Sequence, residues 1–317
     1  MFSIIGNGHW GTAIAHYLSK HYPVEIIGRR QKKLPGDLKI SQKTTLNDAS
    51  YDHWIYAAPM QMATYILKPV LKTKQPESCL IASKGLIQND AGQVMGLPDF
   101  MCSYMDRVAM ISGPSFASEL MNDMPTFLVG ATHNNALAKD MSQWFNHAPI
   151  HLTLSRDVLG VSFSGAFKNP IAILLGYIDS LYASANMRFA LITYVNQVMS
   201  DLLSAMDADP KTAYTAAGQG DLFMTCSIDE SRNRQMGQLL AKGYTVEDAE
   251  KKIGSMVEGI ASLSKLIQLC QQKQMYVPLF DLINEVLTGR MSKLHVLDRL
   301  MDLMQQPAIK ILQSLDA

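Results

Sequence analysis

A four-residue apolar run, Phe2 to Ile5, leads straight into Gly6-Asn7-Gly8-His9-Trp10-Gly11, and the small and apolar residues Thr12-Ala13-Ile14-Ala15 continue as a helix. Strand, glycine turn and helix in this order constrain the fold more than any other feature of the chain. Gly6 admits the tight turn, Gly8 leaves room for close approach to the backbone, and Gly11 lets the helix lie against the strand. The helix start then offers free N–H groups and a partial positive charge, which suit a pyrophosphate. Standing alone, the same glycine spacing is an ordinary βα turn; between a strand and a helix it is a dinucleotide fingerprint.

The chain of 317 residues has room for two domains. At 48% hydrophobic and 18% charged residues it can bury a sizeable core. Lys plus Arg and Asp plus Glu both number 28, so bulk charge draws neither nucleic acid nor a membrane surface. The cysteines, at 79, 102, 226 and 270, form no C-x-x-C pair, so no metal knuckle or dithiol is expected, and reduced thiols in a cytoplasmic protein are. No basic and apolar leader precedes the first strand. The longest apolar stretch, Ile171 to Tyr177, lies between Lys168 and Asp179 and is too short to span a bilayer.

Further strands are predicted over Val24 to Ile27, Trp54 to Ala58, Cys79 to Ser83, Val108 to Ser112 and Thr126 to Gly130. Helical segments between them imply a Rossmann-like, doubly wound α/β domain with a mostly parallel sheet, residues 1–155. Beyond it, Val158 to Tyr182, Phe189 to Met206, Arg232 to Lys242 and Ala261 to Gln272 are helix-periodic, so residues 156–317 form an all-α domain. The segment from Arg30 to Thr45 carries Lys32, Lys33, Pro35 and Gly36 with little periodicity, and predicts a loop or single turn where a crossover helix is usual.

Lys84, Gly113 and Ser115 stand just past strand ends and should converge on one crevice. The second strand ends at Gly28, where an NAD-specific site would place an acid; Arg29 and Arg30 follow instead and suit a 2′-phosphate. NADPH is therefore the expected cofactor, with NADH the alternative and Glu25 still a candidate for the ribose. Lys168 lies four residues after Ser164 in an apolar helical run. It either snorkels at a core edge or carries a proton, to the alkoxide in carbonyl reduction and from the alcohol in oxidation. Pro170 either kinks that helix or starts a new one. Ser231 reads as an N-cap; Arg232 in the first turn opposes the helix dipole unless an anion binds, so Ser231, Arg232 and Asn233 form a candidate phosphate clamp. Gly218-Gln219-Gly220-Asp221 reads as a flexible turn whose carboxylate orients Lys168, binds a substrate hydroxyl, or caps a helix near Leu222.

These blocks, with Ser83-Lys84-Gly85, Ser112-Gly113-Pro114-Ser115-Phe116-Ala117, Gly165-Ala166-Phe167-Lys168-Asn169, Ala190-Leu191-Ile192-Thr193, Gly220-Asp221-Leu222, Thr225-Cys226 and Val257-Glu258-Gly259, resemble in order the bacterial-type NAD(P)-dependent sn-glycerol-3-phosphate dehydrogenases. The resemblance covers nearly the whole chain. It implies Lys168 as general acid/base, with Lys84 and Asp221 beside it in the catalytic group. It implies substrate contacts from Lys84, Gly113, Ser115, Asp221, Ser231, Arg232 and Asn233. His9, Trp10, Arg29, Ala117, Arg232, Met256 and Glu258 would join Gly6, Gly8, Gly11 and Lys84 at the cofactor. The implied reaction is reduction of dihydroxyacetone phosphate for phospholipid synthesis, in a cytoplasmic homodimer. The chain departs from the family after Arg29, where about a dozen residues of the second crossover are lacking. It departs again at Pro170, at Ser180, at Tyr194-Val195 where Arg-Gly is usual, and at Gln219. A related hydroxy-acid or imine reductase, and a non-catalytic NADPH sensor, are the rival readings.

Overall fold

The computed structural model describes residues 1–35 and 40–311. Contacts divide the chain into two units, Met1–Asn89 with Met95–Ser162, and Asp90–Val94 with Phe163–Ala317.

The first unit is built on strands β1 (Phe2–Ile5), β2 (Val24–Ile27), β3 (Ser41–Lys43), β4 (His53–Tyr56) and β5 (Ser78–Ile81). A hairpin of β6 (Leu86–Gln88) and β7 (Val94–Gly96) follows, then β8 (Val108–Ser112), β9 (Thr126–Ala131) and β10 (Ile150–Ser155). Helices α1 (His9–Ser19), α2 (Ala63–Leu71), α3 (Leu97–Cys102), α4 (Ala117–Met121) and α5 (Asn135–Trp144) lie between them. Eight of these strands form one sheet in the order β10-β9-β8-β5-β4-β1-β2-β3. β1 pairs in parallel with β2 on one side and β4 on the other, so the strand order reverses at β1. Ligands of open α/β sheets bind at such a reversal, beyond the carboxyl ends of the strands. Strands β1, β2, β5 and β8 are buried along their whole length, as interior strands covered on both faces must be.

The strands predicted to reach Ala58 and Ser83 stop at Tyr56 and Ile81, and the residues beyond turn into loops. β3 and β10 escape sequence patterning because they are edge strands with mostly half-exposed or exposed side chains, which weakens the apolar signal. The sheet is mostly parallel, but β8 and β9 pair antiparallel, a pairing that needs no crossover. Residues 30–35 and 40 carry no helix, but the segment expected from Arg30 to Thr45 as a loop or single turn also contains strand β3, which pairs with β2; 36–39 lie outside the described residues.

The second unit is helical: α6 (Val158–Tyr182, its first five residues counted in the first unit), α7 (Ala185–Ala205), α8 (Asp221–Ser227), α9 (Arg232–Ala241), α10 (Val246–Ile253), α11 (Glu258–Gln272), α12 (Pro278–Thr288) and α13 (Lys293–Leu303). A two-residue antiparallel pair, β11 (Met275–Tyr276) with β12 (Lys310–Ile311), adds the one β feature beyond the expected all-α pattern among the described residues. α6 runs through Pro170 unbroken, which overturns the reading of Pro170 as the start of a new helix. A mid-helix proline costs about 3 kcal/mol, and an almost wholly buried helix offsets that by packing. α6 is long and apolar enough to cross a membrane, contrary to the estimate from Ile171 to Tyr177 alone. Its apolar window is 94% buried, as in the core helix of a globular domain. The charges flanking that stretch do not end the helix because partners neutralise them inside the unit. Asp179 accepts from Arg188 Nε at 2.9 Å and from Arg234 Nη2 at 3.0 Å.

α9 lies hard against α6 through two glycines. A Cβ on Gly176 would stand 2.1 Å from the Arg234 carbonyl oxygen, and one on Gly237 would stand 1.9 Å from that of Ile173. No other residue type permits this backbone approach, and it fixes where α9 begins relative to Lys168.

Candidate active site

In the first unit the glycine turn sits at the β1 reversal. Gly6 has φ +121°, and a Cβ there would meet Ala57 and Ala58 backbone atoms at 2.7 Å, so the ends of β1 and β4 close together only over glycine. A Cβ on Gly11 would lie 2.0 Å from the Gly6 carbonyl oxygen, whereas Gly8 faces open space. The tight turn at Gly6 and the close approach at Gly11 are as the spacing predicted, and Gly8 leaves its side of the turn open. Helix α1 starts with no side-chain cap and no acid in its first turn, leaving its positive end to a ligand. A cleft of about 550 Å³ opens there, bounded by Asn7, Gly8, His9 and Thr12 on the glycine-turn side. Lys32 to Pro35 and the segment around Phe116, Ala117 and Ser118 complete its wall. Open space over Gly8, uncapped N–H groups and a cleft of this size fit a dinucleotide.

The neighbouring assignments divide. His9 and Ala117 line the cleft, while Arg29 is exposed and outside its lining. The Trp10 indole N–H donates to the Ala82 carbonyl at 2.9 Å, tying α1 to the end of β5. Glu25 is not a ribose ligand: it is 1% exposed, and its carboxylate accepts from the Ser3 hydroxyl and the Ser50 N–H, both at 2.6 Å. Its strand position turns it inward, to partners more than 20 residues away along the chain.

Lys84, Gly113 and Ser115 do converge. The Lys84 ammonium and the Ser115 hydroxyl each donate to the Gly113 carbonyl oxygen at 3.0 Å. Gly113 has φ +150°, and a Cβ there would stand 2.6 Å from the Phe127 carbonyl oxygen, so the turn that aims this carbonyl requires glycine.

In the second unit Lys168 is 7% exposed. Its ammonium donates to Asp221 Oδ1 at 2.6 Å and to Thr225 Oγ1 at 2.8 Å, and Thr225 in turn donates to the Asp221 carbonyl at 2.7 Å. Asp221 therefore orients Lys168, one of the alternatives the sequence left open. It opens α8 directly, and the preceding Ala216–Gly220 segment is a π-helical turn rather than a flexible loop. Gly218 permits that turn, since a Cβ would meet the Thr212 carbonyl oxygen at 2.4 Å. Thr225 was missed as a site residue, although its place four after Asp221 on one helix face was the available signal.

Ser231 caps α9, its hydroxyl accepting from the Arg234 N–H at 3.4 Å, and Arg232 is exposed with one guanidinium nitrogen 3.3 Å from Ser255 Oγ. The Asn233 amide is committed to the fold: it donates to Asn169 Oδ1 at 3.0 Å and accepts from the Gly259 N–H at 2.9 Å. This places the start of α9 beside Asn169, the neighbour of Lys168, and beside the start of α11. Glu258 opens α11, and Met256, before it, is 82% exposed. Burial pushes the neighbouring Cys226 thiol up to about 12, so it stays a neutral core group. Among the described residues no group of three or more His, Cys, Asp or Glu side chains is placed to hold a metal ion.

A glycine turn with an uncapped helix start beside a nucleotide-sized cleft, together with an interior lysine, is the combination of parts that a nicotinamide-dependent dehydrogenase requires. Residues 30–138 match the N-terminal domain, and residues 157–298 the C-terminal domain, of NAD-dependent glycerol-3-phosphate dehydrogenase. The chain is 33% identical to glycerol-3-phosphate dehydrogenase (NAD(P)+) of Legionella pneumophila, over 96% of this chain and 97% of that relative. It is 31% identical to the enzyme of the same name from Halorhodospira halophila, over 90% and 92%. The crystal structure of glycerol-3-phosphate dehydrogenase from Coxiella burnetii shares the fold, with a TM-score of 0.85 at 24% identity, covering 95% of this chain and 98% of that one. The chain belongs to the NAD-dependent glycerol-3-phosphate dehydrogenase family, and is an NAD(P)-dependent oxidoreductase.

Proposed function

We propose that this chain reduces dihydroxyacetone phosphate to sn-glycerol 3-phosphate, with Lys168 as the proton donor. The observation that carries the reading is the Lys168 ammonium, held in a helical interior by Asp221 and Thr225. When bound, the reduced nicotinamide supplies a hydride to the substrate's C2. Lys168 gives its proton to the C2 oxygen as negative charge grows there, and Asp221 and Thr225 keep the ammonium aimed while it does so. The glycine turn and the first N–H groups of α1 hold the pyrophosphate. Lys84, fixed by the Gly113 carbonyl, and Ser115 bind the reacting end of the substrate. Arg232 and the first turn of α9 bind its phosphate, an anchor that positions the carbon for reaction. Asn233, with its amide already engaged, acts by fixing α9 rather than through that amide. Supply of glycerol phosphate to phospholipid synthesis, a cytoplasmic setting and a homodimer complete the proposal; neither nucleic acid nor a membrane span is part of it.

One assay tests it: loss of NADPH or NADH absorbance on adding dihydroxyacetone phosphate, with wild type and K168A side by side. Turnover by wild type, cut about 10²-fold or more in K168A with nucleotide binding retained, is the expected result. Nucleotide binding with no oxidation by any phosphorylated or unphosphorylated ketone would favour a sensor. Near-normal turnover in K168A would remove Lys168 from its role.

A further inference from the structure

The geometry points to Lys32 and Lys33, rather than Arg29 and Arg30, as the pair that reads the 2′-phosphate and gives this chain its preference for NADPH. The inference rests on the chain being a nicotinamide-dependent dehydrogenase, and concerns only which nucleotide it prefers and why.

Two routes to NADH selectivity are closed by named contacts. The position just past β2, where an acid would meet the ribose hydroxyls, is Gly28, and a Cβ there would stand 2.2 Å from Asn7 Cγ. No side chain fits in that place while Asn7 does. Asn7 is itself pinned, its amide donating to the Arg30 carbonyl at 2.7 Å. Glu25, the nearest acid in β2, is spent on Ser3 and Ser50 inside the sheet. Among the described residues, no carboxylate lines the cleft beside the glycine turn.

The cations that do line it are Lys32 and Lys33. The Lys32 backbone is anchored. Gln42, on β3, accepts from the Lys32 N–H at 3.0 Å and donates to the Lys32 carbonyl at 2.8 Å, both through its side-chain amide. This two-bond clamp does for the loop what a crossover helix would otherwise do: it ties the Lys32 peptide to the edge strand of the sheet, beside the cleft that Lys32 and Lys33 line. Two adjacent ammonium groups meet a phosphate dianion favourably and offer nothing to a 2′-hydroxyl that water does not already supply. All four side chains are exposed, but Arg29 and Arg30 lie outside the cleft lining to which Lys32 and Lys33 belong. Discrimination therefore resides three to four residues later than a conventional reading of the second strand would put it.

The test is titration of NADPH and of NADH, followed by nicotinamide fluorescence, against wild type, K32A/K33A, R29A/R30A and Q42A. Wild type should favour NADPH. K32A/K33A should weaken NADPH binding about 10- to 100-fold, two charged contacts at roughly tenfold per 1.4 kcal/mol, and leave NADH within about twofold. Q42A should weaken NADPH by a smaller factor and also spare NADH. R29A/R30A should leave the ratio of the two affinities nearly unchanged. Equal loss of both nucleotides in K32A/K33A, loss of the ratio in R29A/R30A alone, or equal affinities in wild type would each overturn the inference while leaving the dehydrogenase reading intact. Binding of neither nucleotide by wild type would overturn both.

Discussion

Lys168 and Asp221 stand 53 residues apart in sequence and share a 2.6 Å hydrogen bond in which the lysine side chain is 8% exposed and the aspartate is fully buried. Neither residue would be tolerated there alone. An ammonium and a carboxylate cost several kcal/mol each to bury, and their attraction in a poorly polarisable interior offsets that only when they meet directly.

Asp221→Ala should therefore be more harmful than loss of one surface contact. It strands the Lys168 charge, and the expected destabilisation is about 3–5 kcal/mol, with activity lost. Asp221→Asn keeps an acceptor oxygen and should destabilise less, yet still lower turnover by leaving the ammonium without its counter-charge. Urea unfolding of both variants, with turnover measured alongside, checks the pair; equal stability of D221A and wild type would contradict the buried ion pair.

The glycine turn separates fold from binding. Gly11→Ala puts a Cβ 2.0 Å from the Gly6 carbonyl oxygen and should lower the melting temperature markedly. Gly8→Ala meets no atom within 4 Å, so the fold should hold while nucleotide affinity falls. Thermal melts with and without NADPH distinguish the two: only the G11A melt should drop in the absence of ligand.

Arg232 is exposed, with its guanidinium beside Ser255. Arg232→Ala should leave stability within about 0.5 kcal/mol and raise the KM for dihydroxyacetone phosphate, with kcat changed less. If activity on an unphosphorylated ketone falls by the same factor, Arg232 does not bind the phosphate.

Acid should weaken the first unit before its carboxylates titrate. His16 and His53 both titrate below the ordinary 6.5, chiefly because burial disfavours the charged ring, with Lys20 adding to the effect at His16 and Arg107 at His53. Just below that pH the unfolded chain binds more protons than the folded one, so stability rises with pH there. The contribution is complete above about pH 6.5 and is lost as pH falls toward the lowered folded-state values. The melting temperature should fall as pH drops below about 6.5, and less steeply in H53Q. An unchanged slope in H53Q would rule His53 out as a source.

Much of this was legible because it is local. The glycine turn was readable since backbone φ and the absence of a Cβ act within a few residues, and Gly6 and Gly11 meet their own neighbours. The α6 limits, Val158 and Tyr182, were readable from apolar periodicity, and the Ser231 cap from its position before Arg232. The antiparallel β8–β9 pairing was not, because strand direction depends on where the chain returns to the sheet. The inward use of Glu25 was not, because Ser3 and Ser50 reach it only once β1 and β2 are paired.

The order of amino acids by itself determined a doubly wound unit followed by a helical one, the glycine turn between the first strand and helix, and the lysine placed within the long apolar helix. These follow from steric freedom, apolar period and side-chain chemistry, all short-range along the chain. Tertiary structure alone decided that Asp221 and Thr225 hold that lysine, that Asn233 joins three helices, and that Lys32 and Lys33 rather than Arg29 face the cleft. Such meetings join residues distant in the chain, and a buried charge or amide finds its one satisfied arrangement only when the surrounding helices and strands have closed around it.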